Sequence, residues 1–515
     1  MDEPLHVAAA VEWWRTGNIL YPEQPPIARA FFAIWPQLSG ASYNLSAGIS
    51  EAGTDIFHTG GNYWKNLPLI RAGTLPFFFL AGLTLMAWAR RYFDGRVMVA
   101  AVLLFTSLPP ILGHGALATV DLACASTCLL ALYRYQRFLD GPGWPNGVLL
   151  LLATTLAFAC KFSSLPFLFA GGAVLSLLRF DAVSAIVRPL TLRRAAGLLA
   201  LTAASVTLLI WATYGFALVP IGDSPSAAIW IEKLKFASAD TVKAWLQRPL
   251  PLSQFIRGIA AVASHNLQGH SSYLLGVCAS KGWWYFFPVV VLFKTPLGLL
   301  CLYAAAGWLA FRNRRNQSQL LAVFLLPLAL IASCMTSSIN LGVRHMLIVY
   351  PFLALAGAVV LVRAWSGGQS WLPRMLSTSA AIWVLAAGLS AHSSYIGYFN
   401  ELAGSHPERI LAESDLDWGQ DLATLARRLR ERQVPSVSIA YFGSARLAAA
   451  GLPPFTQLDP VQPATGYIAV SLRMLTIETC RTGAFRWLET ATPIERIGNS
   501  MLLYHLPPRE SRSIQ

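Results

Sequence analysis

Apolar residues run through this chain in long blocks, and charged residues punctuate the blocks instead of alternating within them. Such blocks lie at 71–89, 96–112, 116–133, 147–160, 163–178, 195–219, 285–310, 320–336, 345–363 and 376–392. A hydrocarbon core about 30 Å thick takes roughly 20 helical residues and tolerates no unpaired backbone, so the ten blocks predict membrane helices. The two between 147 and 178 are short for a straight crossing, which predicts a broken or tilted pair. Beyond 397 the polarity is mixed, with an amphipathic helical pattern near 420–432 and strand-like runs at 437–441 and 465–470. The pattern predicts a polytopic all-α membrane protein with a small mixed α/β C-terminal region. Its divisions are 1–70, 71–219, 220–284, 285–396 and 397–515.

Counting the blocks through places five basic connections on one side: 90–96, 134–137, 179–194, 312–315 and 363–374. They hold 14 of the chain's 39 Lys and Arg residues, so that side reads as cytoplasmic. The formal charge of +14 then serves orientation, and no nucleic-acid partner is implied. Residues 1–70 become an extracytoplasmic acidic loop, 220–284 a large outer loop, and 397–515 an external domain. An outward start at Met1 implies either a preceding helix that is missing or a loop carried across by the helix after it. With 55% hydrophobic and 12% charged residues, a soluble protein is excluded. Seven cysteines without a C-x-x-C pair indicate neither a disulfide framework nor a thiolate metal site.

Several residues stand out against this background. Asp2 and Glu3 open the first outer segment, followed by Tyr21-Pro22-Glu23-Gln24-Pro25-Pro26; an acid near the membrane surface can take a proton from an acceptor or hold a cation, or be a solvated terminus. Asp121 sits at the edge of an apolar block, where an ionisable group faces a cavity or partner, or rests on a helix N-terminus. Lys161, Lys294 and Arg344 lie at outward block ends, suited to a phosphate or to snorkelling toward headgroups. The outer loop carries Lys233, Lys235, Lys243, His265 and His270; the histidines can share a divalent metal with a carboxylate such as Glu23 or bond within the loop. Tyr398 and Asn400, with the acidic run 413–421, offer an aromatic and acidic surface for a sugar, while Asp417 reads equally as the cap of the 420–432 helix.

Taken together, Asp2-Glu3, Glu23-Gln24-Pro25-Pro26, Ala118-Thr119-Val120-Asp121, Lys161, Phe293-Lys294-Thr295-Pro296 and Gly342-Val343-Arg344-His345 resemble the bacterial membrane glycosyltransferases that use polyprenyl-phosphate sugars. The likeness is to the group of protein O-mannosyltransferases and the lipid A aminoarabinose transferase, over nearly the whole chain. It implies a GT-C-like fold in the bacterial inner membrane with its site facing the periplasm or exterior. The partners implied are a polyprenyl-phosphate sugar donor, an envelope lipid, glycan or protein acceptor, and the surrounding membrane lipids. By the same resemblance Asp2 is the base, Glu3 its paired acid and Asp121 a second membrane-edge acid. Lys161 and Arg344 would neutralise the departing phosphate, and Glu23 and His265 match positions tied to a divalent metal in some relatives. Gln24 departs from the His or Lys that many relatives place before Pro-Pro, and the helix that precedes the acidic segment in the family is not seen here. A polytopic lipid-linked sugar transporter or flippase is the alternative, and a non-catalytic envelope assembly protein a further one.

Overall fold

The computed structural model describes residues 2–222, 244, 246–312, 318–366 and 370–507. Lys233, Lys235 and Lys243, and parts of the basic connections at 313–315 and 367–369, lie outside the described residues. Each apolar block holds helix, although 116–120 and 214–219 fall outside it. In chain order the principal helices are α1 (Glu3–Thr16), α2 (Leu75–Tyr92), α3 (Gly95–Thr106), α4 (Pro109–Gly115), α5 (Asp121–Asp140), α6 (Trp144–Cys160), α7 (Ser164–Leu178) and α8 (Leu192–Thr213). There follow α9 (Ser253–Gln268), α10 (Phe286–Lys294), α11 (Leu297–Arg312), α12 (Ser318–Cys334), α13 (Val349–Ser366), α14 (Trp371–Ser390) and α15 (Leu422–Glu431). Among the described residues four helices are long and apolar enough to cross a bilayer alone, or seven when each bent pair counts as one span.

The breaks follow from local chemistry. Asp94 stops the chain after α2 and caps α3, its Oδ1 accepting from the backbone of Arg96 at 2.7 Å and Val97 at 2.9 Å. The short α6–α7 pair ends in a 92° bend between Ser164–Leu178 and Phe180–Val187. A break inside the 285–310 block is sharper: α10 and α11 meet at 114°. Pro296 causes it, because a proline supplies no amide donor and biases the residue before it away from helix.

α13 is the central post, with thirteen of its eighteen residues buried, and α3, α11 and α12 pack around it. α5 holds the other half together through α2, α6 and α7. By contrast α8 buries only Ile210 of its 22 residues and leans on α6, so its apolar surface is left for lipid.

Residues 2–70 form a folded layer of short helices where an acidic loop was expected. The alanines and valines of α1 are buried against the helix Ile49–Phe57, where Gly53 touches the backbone of Pro4; a Cβ there would lie 1.9 Å from Pro4 O. At the other end of the chain α15 covers a five-stranded sheet. Its strands are β1 (Val437–Ala440), β2 (Phe455–Gln457), β3 (Gly466–Ser471), β4 (Glu495–Ile497) and β5 (Met501–Leu506), in the order β2-β1-β3-β5-β4. β1 pairs parallel with β2 and β3, and β5 pairs antiparallel with β3 and β4.

Two expectations are corrected in this region. Cys278 and Cys480 form a disulfide across 202 residues, Cα to Cα 6.1 Å, tying the hairpin Ser272–Leu274/Val277–Ala279 to the C-terminal domain. Spacing conceals such a pair because the fold, not the sequence, brings the thiols together. Asp417 does not cap the amphipathic helix, which starts after Asp421. It is buried instead, accepting from Ser471 Oγ and, at 2.7 Å, from Gly419 N, and so fastens the loop to β3. With Asp415 and Trp418 buried as well, the run 413–421 contributes packing and not an open sugar surface.

Candidate active site

Four of the singled-out residues converge where α1, α5, α6 and the turn before α13 meet. Asp121 is the first residue of α5, where unpaired amides and the helix dipole favour a carboxylate. Lys161 follows the last turn of α6 in extended backbone, at φ −162°, which swings its side chain toward α5. Arg344 projects from a short helical turn after Gly342, whose φ of 127° suits glycine alone; a Cβ there would also lie 2.6 Å from Asp415 Oδ2. Asp2 precedes α1.

Arg344 Nη1 lies 2.5 Å from Asp2 Oδ2 and 3.8 Å from Asp121 Oδ2, and Lys161 Nζ lies 2.5 Å from Asp121 Oδ1. The guanidinium also sits over Trp418, 5.1 Å from the ring centroid. Only Asp2 is open, with 43% of its side chain exposed against 3% for Asp121. Burial works against its charge, but Arg344 and His6 outweigh it and hold the Asp2 carboxyl well below the usual range.

The cluster opens into a cavity of about 610 Å³ whose walls are mostly apolar, including Phe158, Phe162, Val206 and Ile259. A second apolar groove, about 710 Å³, runs among α5, α6, α7 and α8, and Val206 lines both. Two cations paired with two carboxylates form a site that can take up an anion, and the groove beside it is lined by apolar side chains.

The other candidates fall elsewhere. Glu3 is fully buried, in a two-pronged ion pair with Arg71 at 2.8 Å and accepting from Ala118 N at 2.8 Å; it does not line the cavity. Lys294 is buried at the α10–α11 break, donating to Ile396 O and Asp415 O at 2.7 Å each, beneath the Phe399 ring at 4.1 Å. Asn400 closes the same break: its Nδ2 donates to Leu292 O at 2.5 Å and Thr295 O at 2.8 Å, its backbone amide to Phe293 O at 2.9 Å. These are the carbonyls that a helix end leaves without partners. Tyr398 packs with Ala387 and Ala391 of the α14 end, away from the cavity.

Glu23 and His265 both line the cavity. His265 Nε2 pairs with His270 Nδ1 at 3.1 Å, and Glu23 Oε2 has no partner. Among the described residues no three His, Cys, Asp or Glu side chains gather as a metal site would require.

His6 and His345, which the sequence reading gave no role of their own, also line the cavity, and Trp418 from the 413–421 run packs against Arg344. The signal for His6 was its place four residues after Asp2: on a helix that spacing shares a face, but the segment read as loop.

No known family profile and no curated protein matches the chain. Among solved structures it is similar to ArnT from Cupriavidus metallidurans bound to undecaprenyl phosphate, at 14% identity and a TM-score of 0.45 over 99% of this chain and 95% of that one. The apo state of the same ArnT is similar at 14% identity and a TM-score of 0.46, with the same coverage. The archaeal oligosaccharyltransferase AglB from Archaeoglobus fulgidus, in complex with an inhibitory peptide and a dolichol-phosphate, is similar at 13% identity and a TM-score of 0.44, over 97% of this chain and 69% of that one.

Proposed function

We propose that this protein transfers a sugar from a polyprenyl-phosphate-linked donor to an envelope acceptor on the extracytoplasmic side of the membrane, by direct displacement with inversion at the anomeric carbon. The observation that carries this reading is an ionic cluster opening into a mostly apolar cavity, with a second apolar groove against the same wall residue, Val206. A lipid monophosphate ester has that shape: a long hydrocarbon tail and one anionic head. Arg344 and Lys161 hold the phosphate and stabilise the charge it gains as the bond to C1 breaks. Asp2, the open acid, faces the acceptor, and Asp121 keeps both cations aimed at the head group. A displacement driven by a lipid phosphate leaving group needs no nucleotide loop.

The outward placement is supported by two features on opposite ends of the bundle. The Cys278–Cys480 bond belongs to an oxidising compartment. The basic connections, which lie at the other ends of the helices, match the positive-inside bias.

The test supplies full-length protein in lipid with a panel of polyprenyl-phosphate sugars and envelope acceptors, and compares wild type with Asp2→Asn, Asp121→Asn and Arg344→Ala. Glycoside formation by wild type, reduced at least 100-fold in each folded variant, is the expected result. Transfer unaffected by all three changes would overturn the site, and donor translocation without a glycosidic product would overturn the reaction.

A further inference from the structure

The cluster has a proton to dispose of, and each of its carboxylates is held by a cation. Asp2 Oδ2 sits 2.5 Å from Arg344, and the two oxygens of Asp121 face Lys161 and Arg344. Carboxylates held this way are stabilised as anions and are correspondingly weak bases. His6 lies one turn along α1 from Asp2, lines the same cavity and is 4% exposed, and its Nδ1 has no hydrogen-bond partner. Tyr21 meets the imidazole edge-on at 6.0 Å between centroids, and the charges acting on it are those of Asp2, Arg29, Asp121 and Arg344. Burial, with Arg29 and Arg344 adding to it and Asp2 and Asp121 opposing it, pushes the imidazole down to about 4, so it is neutral at pH 7 with a lone pair to offer. Glu23 also lines the cavity with an unpartnered oxygen, and its charge acts on Tyr21 and Arg29.

We propose that His6 is the general base that takes the proton of a hydroxyl acceptor. The proposal rests on the glycosyl-transfer reading above and names the group that completes it. The acceptor oxygen forms its bond to C1 with a lone pair as the C1–O bond to phosphate breaks, and that electron pair leaves on the phosphate oxygen. The acceptor proton moves to the His6 imidazole, and the neighbouring Asp2 carboxylate stabilises the imidazolium. The imidazolium then returns the proton to the released polyprenyl phosphate or to water, so atoms and charge balance. A base this weak suffices because the hydroxyl becomes strongly acidic only once its oxygen is bonding to C1.

The experiment uses full-length protein in lipid with a polyprenyl-phosphate sugar that wild type turns over and a hydroxyl-bearing envelope acceptor. His6→Gln and His6→Asn keep a polar side chain of similar reach, and donor-protected melting confirms folding. Expected are a loss in kcat of at least about 100-fold, a donor KM within about threefold of wild type, and partial rescue of His6→Ala by added imidazole. In wild type the acid limb of kcat/KM falls where the imidazole titrates, and the variants lose that limb. Folded His6→Gln with wild-type kcat, or a loss carried wholly by donor KM, would overturn the proposal while leaving the function intact. A wild type that binds donor and makes no glycoside would overturn the function and this step together.

Discussion

A carboxylate serves a reaction only so far as an oxygen is left for the substrate, and on that measure neighbours in sequence differ completely. Asp2 opens to the cavity, whereas Glu3 is sealed against Arg71 and Ala118, three residues before Asp121. Glu3 thereby fixes the distance between the two acids of the cluster. Glu3→Gln is expected to destabilise the folded protein by about 3 kcal/mol, because it leaves Arg71 without its counter-charge. Thermal melting in detergent reads this, and Arg71→Met in the same background should recover part of the loss. Lys294 makes a parallel case. Its ammonium serves two backbone carbonyls, so Lys294→Met is expected to lower the melting temperature, with donor affinity of the folded fraction unchanged; a donor Kd weakened tenfold at unaltered stability would place it on the phosphate instead. Residue types alone made both side chains look like substrate groups. Whether a charge meets ligand or backbone depends on the fold around it, and single positions do not carry that information.

At the scale of elements, the apolar blocks were legible as helices, but of the ten spans expected only four, or seven with each bent pair joined, are long and apolar enough to cross a bilayer among the described residues. The 114° break between α10 and α11 hid within a block of even hydropathy, marked by Pro296 alone. The C-terminal sheet was half visible: β1 and β3 are long and buried, but β2 is three exposed residues whose pairing comes from β1. This domain has its own pH response. Burial raises the Asp417 carboxyl to about 6, above the 3.8 of an unperturbed aspartate. Between those values the folded state holds the extra proton, so stability falls as pH rises through the window and levels off above 6. The change approaches about 3 kcal/mol at most. Denaturant titrations at pH 4.5 and 7 (both about) should show it, and Asp417→Asn should flatten it. Asp2 acts with the opposite sign and only at lower pH, its contribution being lost as acid protonates a carboxyl that Arg344 holds low.

For the whole molecule, the proposed arrangement puts the ionic cluster, the hairpin and the sheet domain on one side of the membrane and the basic connections on the other. Cysteines introduced at Val461 and Arg188, both exposed, separate the alternatives in intact cells with Cys301 replaced by serine. A membrane-impermeant maleimide is expected to label the first and not the second until the membrane is opened; labelling of both would refute the topology. Reduction of the Cys278–Cys480 bond is expected to lower the melting temperature, since a loop of 202 residues closed by a cross-link is stabilised by up to about 5 kcal/mol in the chain-entropy account. That same bond sets a timetable. Its partners are separated by four membrane-buried helical blocks and most of the sheet domain, so it cannot close until the ribosome has passed residue 480. The wall of the cavity is therefore built early and its outer fastening late, and a chain cut short within the last strands would carry every residue of the ionic cluster yet lack a finished outer domain to hold the hairpin in place.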